Sequence, residues 1–204
     1  MPGIGYTGVY FKNCKITGGD YLSKEEEHIL QIIEGCKKDD RKAQEQLYRS
    51  YYRAMMTLCL RYTKNESDAM EALNSGFYKV YKNISRYDSR KASLYTWIRT
   101  IIIHSCLDKV NSNQSVSGTG EMEQAANIHV PPAAIAALSA TEILQLAREL
   151  PPATQAVFNL YVIEGFTHPE IATLMKISEG TSKWHLSEAR KKLQSMIKTA
   201  GNHE

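Results

Sequence analysis

The chain has 204 residues, of which 43% are hydrophobic and 23% are charged, and this excludes wholesale disorder, a collagen-like chain and a disulfide scaffold. Its longest apolar run, residues 98–107, is interrupted by Arg99 and is far shorter than the about 20 residues that a membrane-spanning helix needs. No basic segment followed by an apolar stretch opens the chain, so we expect a cytoplasmic protein without a secretory signal. The four cysteines lack metal-ligand spacing and are typical of buried, reduced thiols.

The net charge of +3 is distributed unevenly. Residues 37–109 hold 15 Lys/Arg against 8 Asp/Glu, and residues 181–198 hold 5 against 1. Residues 111–147, between these blocks, contain three acidic residues and no Lys or Arg. Two basic blocks separated by an acidic spacer favour two surfaces that bind a polyanion. Charge alone explains two solvated helical faces equally well.

Residues 1–22 are glycine-rich without a clear period, which predicts a disordered arm. Four helices are expected next. Ser23 and Glu26 form a capping box for the first helix, and Gly35 is expected to end it. Apolar residues at three- and four-residue spacing predict the second and third helices, and Ser93 is expected to cap the fourth. This first unit, residues 23–110, is therefore predicted to be all-α.

Residues 111–138 are rich in Ser, Asn and Gly and then in Pro and Ala, so we predict a flexible linker. Helix is expected to resume over residues 139–199, beginning at a capping box formed by Ser139 and Glu142. The sequence predicts an all-α fold of two small helical domains.

A short helix opened by a capping box of Thr167 and Glu170, a tight turn and a basic second helix follow one another in residues 167–193, which is the layout of a helix-turn-helix. Ser178 is expected to cap the second helix, whose N-terminus offers free N–H groups to phosphate. Lys183, His185 and Arg190 are expected to point outward and to reach a major groove. The alternative is an αα-hairpin with a basic solvated face. No nucleotide-binding, metalloprotease or metal-ligand motif accompanies this layout, so we expect no enzyme, no cofactor and no metal site.

Two stretches resemble the extracytoplasmic-function (ECF) group of sigma factors in the sigma-seventy family. Residues 150–193 resemble region 4 in their LPP opening, in EG before the first helix, in EIA within it and in GT-x-K…AR-x-x-L in the second. Residues 40–109 resemble region 2 through LYRSYYR, SDA with Phe77 downstream, RYDSR and LYTWI. The resemblance implies two DNA-binding domains, one for duplex DNA at the −35 element and one for the melted strand at the −10 element.

The resemblance also implies residue roles. On −35 DNA the matching positions are Ser178, Gly180, Thr181, Lys183, Trp184, His185, Ser187 and Arg190. For the −10 element they are Arg86, Tyr87, Arg90, Lys91, Tyr95, Trp97 and Arg99. The aromatic members can stack on unpaired bases and the basic ones can hold phosphates, although core packing also explains each aromatic residue.

The implied partners are core RNA polymerase, through its β and β′ subunits, and promoter DNA. Some members of the group are held inactive by an anti-sigma factor, and the sequence leaves open whether one exists here. The core polymerase contact is expected at Asp68, Glu71, Asn74, Ser75 and Phe77, where the family's acidic, Gln-containing patch is altered. Glu188 stands where a basic residue is frequent and is expected to oppose phosphate.

Two other functions fit parts of the sequence. A stand-alone helix-turn-helix regulator binds duplex operators as a dimer, and a helical adaptor uses basic faces to bind acidic proteins. Neither needs a four-helix first unit or the aromatic and basic residues of stretch 87–97. We therefore predict a sigma factor that directs core polymerase to promoters.

Overall fold

The computed structural model describes residues 24–114 and 140–201, and within these ranges the chain forms helices and turns only. The α-helices, in chain order, are α1 (Lys24–Lys37), α2 (Arg41–Leu60), α3 (Glu66–Asn83), α4 (Leu94–Gln114), α5 (Ala140–Arg148), α6 (Pro152–Phe158), α7 (His168–Met175) and α8 (Glu179–Gly201). A 3₁₀ turn (Ile84–Arg86) follows α3, and a π-helical turn (Asn159–Ile163) follows α6. The predicted all-α fold is confirmed.

Helices α1 to α4 pack around one apolar core, in which α3 and α4 approach each other closely. Gly76 of α3 makes this approach possible, because a Cβ there would lie 2.4 Å from Cδ1 of the buried Ile102. Gly35 allows a similar contact between α1 and α2, where its Cβ would lie 2.5 Å from the Cβ of Ala43. The prediction that Gly35 ends α1 is wrong, since the helix continues to Lys37.

Local side-chain caps define several helix starts. The backbone N–H of Lys42 donates to Asp40 Oδ1 over 2.9 Å at the start of α2. The N–H of Thr96 donates to Ser93 Oγ over 3.2 Å, so the predicted cap of α4 is confirmed. Helix α4 runs four residues into the predicted linker, as far as Gln114. Residues 1–22 and the rest of that linker lie outside the described residues, as do Ser23 and Ser139.

Helices α5 to α8 form a second packed unit, in which α6 and α7 both lie against α8. The predicted capping box opens α7, where the N–H of Thr167 donates to Glu170 Oε2 over 2.8 Å. Gly165 ends the preceding π-helical turn with a left-handed φ of +76°. The second unit also contacts the first, because α6 and α7 pack against α4.

The cysteines that the structure describes, Cys36, Cys59 and Cys106, are buried free thiols, as expected. The Sγ atoms of Cys59 and Cys106 are 3.7 Å apart, where α2 faces α4. Among the described residues, the helices are all too short or too polar to cross a lipid bilayer.

Candidate nucleic-acid interface

Helices α7 and α8 form a helix-turn-helix whose turn is set by local chemistry. Lys176 ends α7 in the left-handed conformation, with φ of +56°. Ser178 then caps α8, since its Oγ accepts from the N–H of Thr181 at 2.9 Å and lies 2.8 Å from the Thr181 hydroxyl. One N–H of the first turn is thus satisfied within the chain. Gly180 is exposed beside it, so the start of α8 has little bulk to hold a DNA backbone away.

The exposed side of α8 is basic. Lys183 and Arg190 are both exposed and lie seven residues apart, which places them on one helix face two turns from each other. Trp184 and Ser187 are half-buried beside them. Glu188 forms an ion pair with Lys192 over 3.8 Å, so its charge is partly balanced within the helix. Among the residues expected at the −35 element, one does not belong to this exposed face.

That residue is His185, and the expectation that it points outward is wrong. Its Nδ1 lies 3.0 Å from the hydroxyl of the buried Thr154 in α6, and its ring lies edge-to-face with that of Trp184, with centroids 4.8 Å apart. Burial lowers the pKa of His185. The side chain therefore fastens α8 to α6 and is not part of the exposed basic face.

The expected −10 residues gather around the loop between α3 and α4. The rings of Tyr87 and Trp97 are in contact, with centroids 5.5 Å apart, and the Tyr87 hydroxyl donates to the carbonyl of Ala92 over 3.2 Å. Tyr95 is half-buried, and its ring centroid lies 6.3 Å from that of Tyr51. All three predicted aromatic residues keep part of their surface exposed while they pack on the core. Base stacking and core packing are thus compatible at these positions.

The basic members of this set differ in their partners. Arg86 and Lys91 are exposed on the loop. Arg90 donates from Nε and Nη2 to the carboxylate of Asp88, each over 3.0 Å, and these hydrogen bonds lower the pKa of Asp88 to about 2. Arg99 is paired with Glu164 of the second unit. The loop therefore presents three exposed cations, one of which, Arg90, also pairs with Asp88, whereas Arg99 on α4 is held by the other unit.

The two units match two parts of one family. The family described as Sigma-70 region 2 matches residues 47–116, and that described as Sigma-70, region 4 matches residues 140–193. Together the matched ranges take up more than half of the chain. The chain belongs to the sigma-70 family, in its ECF group. As a sigma factor, it serves promoter-specific initiation of transcription by RNA polymerase.

Relatives of this sigma factor are distant but cover nearly its whole length. The ECF RNA polymerase sigma factor SigM of Mycobacterium tuberculosis is 22% identical over 96% of this chain and 93% of its own. The RNA polymerase sigma-H factor of Pseudomonas aeruginosa is 23% identical over 86% of this chain and 98% of its own. Among solved structures, the sigma factor RpoE in complex with the anti-sigma factor NepR from Bartonella quintana is 19% identical, with a TM-score of 0.45, over 76% of this chain and 96% of its own.

The residues expected to contact core polymerase lie along α3, and four of the five are at its surface. Asp68 accepts from Lys109 Nζ over 2.7 Å, and this hydrogen bond lowers the pKa of Asp68. The same ammonium group pairs with Glu71. Asn74 and Ser75 are exposed, and the Tyr48 hydroxyl donates to Asn74 Oδ1 over 3.1 Å. The fifth residue, Phe77, is only 1% exposed and packs on Tyr48, so it holds α3 against α2 in the core.

Sequence reasoning missed the polar contacts between the two units of this sigma factor. The side-chain amides of Gln155 and Asn159 both donate to the main-chain carbonyl of Arg61, and both side chains are buried. Lys64 donates to the carbonyl of Leu150 over 2.6 Å. The available signal was two amides four residues apart in a largely apolar stretch. That signal marks a polar contact but does not identify its partner.

Proposed function

We propose that α8 reads the −35 element of promoters in the major groove, while the loop between α3 and α4 captures the melted −10 strand. The observation that carries this proposal is the exposed face of α8, where Lys183 and Arg190 follow a Ser178-capped N-terminus. A helix N-terminus positions phosphate, and side chains along the following face reach base edges. Both elements belong to one sigma-family chain, so the two contacts serve one promoter.

The first unit is proposed to do the melting because it combines aromatic faces with cations. The rings of Tyr87 and Trp97 form a half-buried aromatic surface. Arg86 and Lys91 are exposed nearby, on the loop between α3 and α4. Stacking an unpaired base on an aromatic ring contributes about 1–3 kcal/mol, and neighbouring cations hold the backbone. This pairing of groups suits single-stranded DNA better than duplex DNA.

The proposed domain division follows the two units, residues 23–110 for the −10 element and core polymerase and residues 139–199 for the −35 element, joined by residues 111–138. The exposed side of α3, with Asp68, Glu71, Asn74 and Ser75, is the proposed contact for the β and β′ subunits. Such a protein acts in the cytoplasm, on the nucleoid while bound to polymerase, and performs no catalysis itself.

Run-off transcription with core polymerase on a library of genomic fragments tests the function. If the chain acts as proposed, we expect transcripts from defined start sites only when core enzyme and this chain are both present. Each start site should be preceded by shared −35 and −10 sequences. If the chain were instead a stand-alone regulator, it would protect a palindromic DNA site in footprinting without polymerase. Nanomolar footprints of that kind without polymerase would refute the proposal.

A further inference from the structure

The side chain of Glu164 lies buried between two arginines of the first unit. Its exposed fraction is 0%, against 24% for the side chain of Arg61 and 27% for that of Arg99. Arg61 Nη2 donates to Oε1 over 3.2 Å, and the guanidinium of Arg99 pairs with Oε2. One carboxylate of the second unit therefore joins two cations of the first.

The backbone around Glu164 aims it at this position. The N–H of Glu164 donates to the carbonyl of Asn159 over 3.0 Å, closing the π-helical turn, and Gly165 then reverses the chain with a positive φ. On the other side, the amides of Gln155 and Asn159 hold the carbonyl of Arg61. Both the carboxylate and one of its arginines are thus fixed by neighbouring hydrogen bonds.

The two guanidinium groups need a negative charge between them to be stable at this distance. A buried carboxylate is costly unless cations and hydrogen bonds compensate it, and here the two arginines do so. Conversely, two guanidinium groups within reach of one carboxylate repel each other when that carboxylate is removed. Arg61 Nε also has no hydrogen-bond partner among the residues described, although it is buried. The arginine pair is therefore a site built for an anion.

We infer that Arg61 and Arg99 form a phosphate site for the promoter strand, which Glu164 occupies when the two units are docked. The inference rests on the proposed function, in which Arg99 belongs to the −10 surface; it adds Arg61 to that surface and gives Glu164 the role of an internal competitor. A guanidinium engaged by a buried carboxylate is not available to phosphate. Docking of the units and capture of the strand therefore exclude each other.

The docked arrangement has other contacts, so the competition can be tuned without abolishing the fold. Lys64 donates to main-chain carbonyls at the end of α5, and α6 and α7 pack against α4. None of these contacts involves Glu164. Loss of its charge is expected to shift the population toward separated units while each unit stays folded.

The test compares the full-length wild type with Glu164→Gln, which keeps the shape of the side chain and removes its charge. Small-angle X-ray scattering reports the radius of gyration, and far-UV circular dichroism checks that helix content is unchanged. Glu45→Gln is the matched control, because it removes the same charge from an exposed pair with Arg49 on α2. We expect a larger radius for Glu164→Gln and the wild-type radius for the control.

Binding of a fluorescein-labelled single-stranded oligonucleotide of mixed sequence then tests the shared site. If docked molecules outnumber open ones by about ten to one, their release tightens the apparent affinity about tenfold. Adding Arg61→Gln to Glu164→Gln is expected to reverse most of that gain while the radius stays large. The control is expected to bind like the wild type.

Each other outcome overturns the inference. An unchanged radius shows that Glu164 does not hold the units together, and a larger radius without tighter binding shows that its site is not a DNA site. A double variant that binds as tightly as Glu164→Gln removes Arg61 from the site. Failure of the proposed function would appear separately, as absence of run-off transcription by the wild type together with the expected scattering and binding results.

Discussion

The indole of Trp97 packs against the phenol ring of Tyr87, with ring centroids 5.5 Å apart and the planes inclined at 54°. The contact ties the start of the loop between α3 and α4 to the first turn of α4. The Tyr87 hydroxyl adds a hydrogen bond to the carbonyl of Ala92, near the end of the same loop. The loop that carries the cations is thus closed by an aromatic pair, and this pair also offers a partly exposed surface to a base.

This geometry separates two functions of Tyr87. Tyr87→Phe keeps the ring and loses one hydrogen bond, so we expect unfolding to need about 1 kcal/mol less while strand capture is retained. Tyr87→Leu keeps apolar bulk and loses the aromatic face, so binding of the −10 strand is expected to weaken by about 1–3 kcal/mol. The measurements are thermal unfolding and affinity of the polymerase complex for a single-stranded −10 oligonucleotide. Equal affinity for the Leu and Phe variants would restrict Tyr87 to packing.

Gly180 offers a prediction in which stability and function change in opposite directions. A Cβ at this exposed position would meet nothing nearer than 3.6 Å, and alanine favours helix over glycine by up to about 1 kcal/mol. We therefore expect Gly180→Ala to raise the melting temperature and to weaken −35 binding, because its methyl group would lie where we propose that the DNA backbone approaches. Gly35→Ala is the contrasting variant, since its methyl group would collide with Ala43 and lower stability. Unchanged −35 affinity of Gly180→Ala would place the backbone elsewhere.

Local signals predicted much of the fold correctly. The capping box of Thr167 and Glu170 and the caps supplied by Ser93 and Ser178 all form, because each needs only a side chain and an N–H group three residues away. The role of Gly35 was not predictable in this way. Its missing side chain serves a contact with another helix, and composition cannot distinguish that use from a helix end.

The least predictable part of the candidate site is the long-range pairing. Glu164 and Arg61 are 103 residues apart in sequence, and no periodic pattern links a glutamate before a glycine to an arginine at the end of a distant helix. The wrong prediction for His185 also arose from a contact with a distant residue. Its position on α8 is near the exposed face, but the hydroxyl of Thr154 on another helix turns it inward.

The half-buried His185 is expected to make stability depend on pH. Burial lowers the pKa of His185 in the folded protein below its value in the unfolded chain, near 6.5, so the unfolded state takes up a proton first as the pH falls. Stability is therefore expected to be full above about pH 6.5 and to decline as the pH falls toward the lower folded pKa. His185→Gln should flatten this decline in urea titrations at a series of pH values.

Substitutions on the exposed face of α8 can distinguish recognition of the promoter sequence from sequence-independent binding to DNA. If Lys183 meets a base edge, Lys183→Ala is expected to cost about 1–3 kcal/mol and to relax discrimination at one −35 position. If Arg190 meets only phosphate, Arg190→Ala should weaken all promoters about equally and reduce the salt dependence by about one unit. Lys38→Ala, which removes one exposed positive charge from the turn after α1, is the control and should change neither property.

Glu188 provides the opposite change on the same helix. Its carboxylate pairs with Lys192, so Glu188→Gln removes a repulsive charge and releases a cation toward DNA. Because this gain is electrostatic, we expect tighter binding of every promoter at low salt, a smaller gain at high salt and no change in sequence preference. Run-off transcription from a panel of −35 point mutants at two salt concentrations measures all three variants. If neither Lys183→Ala nor Arg190→Ala alters transcription anywhere in that panel, α8 does not enter the groove. A gain from Glu188→Gln would then reflect general electrostatic attraction to DNA and not sequence recognition by this helix.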